Sequence, residues 1–413
     1  MSLTHAHLPG AARQVYDLLA DHPGPATTAA PVAAALGITE PDAAAALQRL
    51  HAAHLVDQLP PGHRYALTSL VRQHAAHQRR QTPASARAVQ NTRLVSWYTA
   101  AASAAVSLVA PRAPWFSAHA THEALPPDHA DGRRGLPWYA QEHHVLRNIL
   151  AAELAQGRAE VAVELAEAVW HLARPTYHHD DLAHAQHTGH TLTHQTRRPL
   201  AAVFRAREAT ALADLGRRVE ALRAAAEATT SAQDTAEPGI LALVHAHNGR
   251  VHLTAGQPEN ALHELATALR HHQVVDDDHG RALVHRRIGQ AHLDLGHIAD
   301  ATRYLDASSS ALTRKGHRLS AARSLTYLAH ALVADRHSAR ALSVVGRAHD
   351  LLGNAAAPRY RAGIGLAAAR ARYALGEATV TRRITEDLIR RLRDSGPGAA
   401  GDLAAATELH NRL

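Results

Sequence analysis

A recurring spacing of small residues constrains this chain more than anything else in it. NGRVHLTAGQPENALHELATAL begins at Asn248 and IGQAHLDLGHIADATRYLDASS at Ile288. Gly249 corresponds to Gly289, Leu253 to Leu293, Gly256 to Gly296, Ala261 to Ala301 and Leu265 to Leu305, each 40 residues apart. The step continues to Ala329, Val333, Ala341 and Val345, then to Ala369, Tyr373 and Gly376. Backward it meets Ala209, Ala213, Gly216, Ala221 and Ala225, and a weaker unit at Val169, Ala173 and Ala185. A small residue in the Gly249 column lets one helix approach its partner closely. The Gly256 column ends that helix, where a residue without Cβ costs least. The Ala261 column needs a small side chain where the second helix crosses the first. One helix pair cannot bury its apolar face alone, but stacked pairs can, so the pattern predicts an all-α solenoid.

Composition agrees. Hydrophobic residues make up 46% of the 413, but aromatics only 4%. A core of Ala, Leu and Val favours closely packed helices over sheet. Absent cysteine excludes disulfides and Cys-ligated metal centres, which fits a cytoplasmic protein. No signal peptide is expected at the N-terminus. The low-charge stretch from Trp97 to Ala110 is too short to span a bilayer and reads as a buried helix.

The spacing of Gly249, Gly256, Ala261, Leu265 and Ala268 resembles the tetratricopeptide consensus. The period exceeds the usual ~34 residues, which implies longer helices or an extended loop between units. The segment from Leu269 to Gly289, with Asp276–Asp278 at its turn, reads as that loop. About six units are expected over residues 158–413.

Residues 1–80 form a distinct first unit. A helix is expected over Ala11–Ala20 and a second over Thr28–Leu36, stopped by Gly37. A third, N-capped by Thr39 with Pro41 just inside, should run to about His54. Two short apolar segments around Pro60-Pro61-Gly62 read as a hairpin. Three helices and a hairpin follow the winged-helix order. Residues 81–157 are a helical connector: a long helix from Ser85 to about Ala110, an irregular stretch from Pro111 to Pro137, and a helix from Trp138 to about Gln156.

This order resembles the C-terminal half of the NB-ARC-type signal-transducing ATPases and regulators of actinobacteria. The carrying segments are Tyr65–Ala75, Trp138–Leu150, Val163–Ala173 and the repeats. Those proteins place a P-loop ATPase ahead of the winged helix, and a P-loop needs a Gly-Lys-Ser/Thr turn. The sole lysine, Lys315, sits in TRKGHRL. Nucleotide binding and ATP hydrolysis are therefore not expected of this chain.

No zinc-protease motif, nucleophile elbow, dinucleotide loop or calcium loop is present. A histidine-rich run places Asp180, His184, His187 and His194 near one helical stripe, a candidate metal set. With 35 histidines in the chain, a solvated face is the plainer reading. A DNA-reading third helix would want basic and polar residues at its start. Here it opens with Glu40 and Asp42, so the N-terminal unit reads better as a docking arm. The repeat groove is the stronger candidate site. The position after the small helix-A residue reads Thr210, Arg250, Gln290, His330 and Arg370, and Arg286, Arg323 and Tyr373 share that face. Guanidinium forks suit an acidic segment or carboxylate.

The expectation is a non-catalytic regulatory scaffold that binds a protein or peptide, acidic in character, without cofactor, nucleotide or membrane. Two alternatives stand beside it. One is a DNA-binding transcription regulator acting through residues 11–70. The other is a small-molecule binder or enzyme using a pocket between the connector and the first repeats.

Overall fold

The computed structural model describes residues 7–60, 63–110 and 135–413. In the first unit, α1 (Gly10–Leu19), α2 (Ala29–Leu36) and α3 (Glu40–Ala52) precede β1 (Asp57–Leu59) and β2 (Arg64–Ala66). The Thr39 side chain accepts a hydrogen bond from the Asp42 amide, and Gly37 takes the left-handed conformation that ends α2 (φ 68°). The third helix stops two residues before the expected His54, which has positive φ. The strands pair antiparallel with Gln58 opposite Tyr65, and a bridge from Thr27 to Tyr65 adds a third segment. Helices α4 (Ser69–Arg79), α5 (Ala84–Val109) and α6 (Gly135–Ala155) follow. Residues 111–134 of the expected irregular connector lie outside the described residues. Gly135–Pro137 belong to α6 rather than to a loop, because proline is tolerated in a first helical turn.

Six helix pairs then succeed one another. They are α7 (Ala159–Ala173) with α8 (His179–Thr193), α9 (Arg198–Asp214) with α10 (Arg218–Gln233), and α11 (Pro238–Thr254) with α12 (Pro258–Val274). Next come α13 (Asp278–Asp294) with α14 (Ile298–Arg314), α15 (Arg318–Ala334) with α16 (Ser338–Leu352), and α17 (Pro358–Ala374) with α18 (Ala378–Arg393). A short 3-10 turn and α19 (Ala400–Asn411) end the chain. The protein is an all-α, tetratricopeptide-like helical solenoid.

The long period resides in the helices and not in a loop. Helices α11 to α15 have 17 residues each, and only Val275–Asp277 separate α12 from α13. The segment expected to be an extended loop is therefore mostly helix: Leu269–Val274 finish α12, and Asp278–Gly289 lie in α13. Asp277 caps α13 by accepting from the Gly280 amide at 2.9 Å.

The small-residue columns act as their spacing requires. A Cβ on Gly249 would meet Leu265 Cγ at 2.6 Å, and one on Gly289 would meet Leu305 Cγ at 2.6 Å. Ala261, Ala301 and Ala341 are wholly buried. At the end of α11, the Gln257 amide donates to His252 O and the Gly256 amide to Leu253 O, a Schellman termination with Gly256 at φ 68°. The same pair of bonds ends α9, α13, α15 and α17.

The curve closes on itself. Arg359, at the start of α17, donates from its backbone to Pro175 O, just after α7. The Tyr177 hydroxyl donates to Asp402 of α19 at 2.7 Å. Tyr177 also packs with Ala362, Leu366, Leu388, Ala399 and Leu409. The first pair thus touches the sixth.

The candidate site: a cationic cavity on the inner face

From the second pair on, helix A of each pair lies against helix A of the next, so these helices form the inner wall of the curve. They enclose a cavity of about 430 Å³, which the ends of α5 and α6 help to close through Leu108, Val109 and Leu136. That size suits a small ligand or one or two side chains. Part of the wall is apolar: Leu243, Leu283, Leu319, Leu351 and Leu352. The rest is strongly basic.

Arg174, Arg207, Arg286, Arg287, Arg318 and Arg323 all reach this cavity, Arg318 donating to the Leu351 and Asp350 carbonyls. Arg207 is neutralised by Glu167, and both are buried. Among the described residues, none of the others has a carboxylate partner. Arg174 lies 4.5 Å from the Trp170 ring centroid, and Arg323 lies 4.9 Å from that of Tyr360. Arg287 donates to Ala246 O. Arg286 is only 3% exposed, its sole hydrogen bond is a long 3.5 Å contact to Ser320 O, and its Nε has no partner among the described residues.

The charges perturb one another. Burial, with Arg323 and Arg250 nearby, lowers the Arg174 guanidinium to about 9, still protonated at neutral pH. Burial and neighbouring arginines push Arg286 and Arg287 well below the ordinary guanidinium range. Tyr360 responds oppositely. Burial would raise its hydroxyl, but Arg323 and Arg174 bring it down to about 8. His247, wholly buried, is held neutral by desolvation and by Arg287. An oxyanion entering this space would meet several positive charges at low local dielectric.

The sequence-derived groove residues separate into four groups. Arg286 and Arg323 stand on the cavity wall. Arg250 instead pairs with Asp214 at 2.5 Å, and Arg359 reaches the same carboxylate at 3.1 Å. Burial would raise the Asp214 carboxyl, but Arg250 and Arg359 hold it well below the usual carboxylate range. Gln290, His330, Arg370 and Tyr373 line no part of the cavity. His330 Nδ1 and the Arg370 guanidinium approach to 3.5 Å, and Tyr373 is 41% exposed. Thr210 is buried and bonded to His247 at 3.1 Å.

The candidate metal set does not converge. His187 pairs with Glu208 at 3.1 Å, His194 contacts Thr191 O, and Asp180 is exposed. His184 is half-buried, and among the described residues no group of three or more ligating side chains forms. Sequence reasoning missed Arg174, Arg287 and Tyr360. Arg287 sits beside Arg286, and that doublet was a readable signal. Arg174 lies within the weakest repeat, one residue past its Ala173 column, and Tyr360 comes two residues after Pro358, so neither stood in a recognised column.

No protein-family model matches the chain, and no curated protein sequence does. Two solved structures share the general helical-repeat trace. One is a signal transduction ATPase with numerous domains, carrying a tetratricopeptide repeat sensor, from Pyrococcus horikoshii. It is 13% identical with a TM-score of 0.42, over 98% of this chain and 61% of that one. The chain therefore spans about three fifths of that protein's length. The other is a Rap protein complexed with competence and sporulation factor, 11% identical with a TM-score of 0.46, over 83% of this chain and 90% of that one.

Proposed function

We propose that this protein is a cytoplasmic, non-catalytic regulatory scaffold that binds an acidic protein or peptide segment on the inner face of its solenoid. The observation that carries this reading is the joint placement of Arg286 and Arg323 on a cavity wall with Arg174 and Arg287. On this reading, residues 1–80 are a docking arm, 81–157 a connector and 158–413 the binding array. The likeness to the tail of NB-ARC-type regulators belongs to the same proposal. The wing favours an arm over a DNA reader: Arg64 of β2 is paired with Glu142 of α6 and donates to Ala26 O, so its guanidinium is turned inward.

Co-purification from the native host tests the reading. Wild type should retain a partner that Arg323→Glu loses, while Arg303→Glu, on an exposed outer face, retains it. Charge reversal at Arg250 is unsuitable, because it would break a buried ion pair. An identical partner set for wild type and Arg323→Glu would remove the groove from consideration.

A further inference from the structure

We infer that the inner cavity is a binding site for a multivalent oxyanion carried on an apolar body, such as a phosphate monoester or a pair of carboxylates beside aliphatic groups. The inference rests on the reading above and specifies its anchor. Four guanidiniums, those of Arg174, Arg286, Arg287 and Arg323, converge with no carboxylate paired to them among the described residues. Among the described residues, the one carboxylate on the wall is that of Asp277, which is half-exposed and paired with His272 at 3.0 Å. Desolvated like charges are costly, and a bound anion of more than one charge compensates them. Arg286 supplies the independent mark of a ligand: it is nine-tenths buried and keeps an unsatisfied Nε on the cavity wall. Leucines on the same wall as the arginines give the apolar body its seat, so the site selects an amphiphile over a bare ion.

The chemistry has two sources, a free phosphorylated small molecule or an acidic side-chain pair on a bound chain. Two probes separate them: phenyl phosphate, and an acetylated Leu-Asp-Asp-Leu peptide amide. Each is titrated in thermal melts of the full chain against sodium chloride at equal ionic strength. The melting temperature of wild type should climb with the logarithm of probe concentration above its Kd. A response to phenyl phosphate alone assigns the small-molecule source, and a response to the peptide alone assigns the chain. Either supports the site. Arg286→Met should melt above wild type without probe, because a buried unpaired charge is gone, and should lose at least tenfold in probe affinity. Arg303→Met should respond as wild type does.

No rise with either probe overturns the site, as does an equal rise in Arg286→Met. If the probes fail while Arg323→Glu still loses the host partner, this inference falls and the proposed function stands. If Arg323→Glu keeps the partner while the probes bind, the reverse holds.

Discussion

Ala301 has no exposed surface and faces the helix carrying Gly289, where a Cβ would lie 3.2 Å from Ala301 O. A larger side chain at 301 must push α13 and α14 apart, and overpacking of this kind costs ~1–3 kcal/mol. Arg303, two residues on, is 66% exposed and bonded to Asp300 and the Tyr304 ring. Ala301→Leu should therefore lower the denaturant midpoint clearly, whereas Arg303→Leu should shift stability by less than ~0.5 kcal/mol. Equal midpoints would contradict the assigned helix crossing. These positions were legible in the sequence because each sits in a column fixed by local close packing. The cavity arginines were only half legible. Arg286 and Arg323 follow from helix-A periodicity, but Arg250 carries the same periodicity and is consumed by Asp214, which no local pattern reveals.

The end of each A helix shows how an element keeps its geometry when its sequence drifts. Gly216, Gly256, Gly296 and Gly376 all have positive φ, and Arg336 occupies the equivalent place at φ 58°. The Schellman bonds persist there, from His337 to Leu332 O and from Arg336 to Val333 O. A left-handed arginine carries a steric cost that glycine avoids, offset in part by the greater freedom of glycine in the unfolded chain. Arg336→Gly should thus stabilise the protein by roughly 0.5–1 kcal/mol in chemical denaturation. A loss of stability would mean the arginine side chain contributes more than the backbone does. The N-terminal unit follows another logic. Its helices and hairpin were readable from caps and turn residues. Its attachment was not, because Arg64–Glu142, His22–Tyr98 and Asn148–Pro23 O are contacts between distant segments. Arg64→Met leaves the buried Glu142 without its cation. Limited proteolysis should then cut between residues 80 and 84 faster than in wild type, and an unchanged cleavage pattern would argue against this docking.

Closure of the solenoid depends on small rotations accumulated over six pairs, so it lies beyond any single-repeat pattern. Asp214 joins α9 to α17 through Arg359 and to α11 through Arg250, all largely buried. Because its folded-state carboxyl sits well below the usual range, its contribution is present above the unfolded value of about 3.9 and is lost as pH falls through the folded one. Asp214→Asn should cost ~3–5 kcal/mol at neutral pH, since it leaves two buried guanidiniums uncompensated. The gap from wild type should narrow below about pH 4. A pH-independent gap would mean the carboxylate charge is not what closes the ring.

The inner wall as binding surface is most directly tested by hydrogen–deuterium exchange on the complex with the partner recovered from the host. Binding should slow exchange in the peptides covering α13, α15 and the first turns of α17, while α10 and α14 on the outside remain unchanged. Protection confined to the outer helices, or to residues 7–80, would contradict the account.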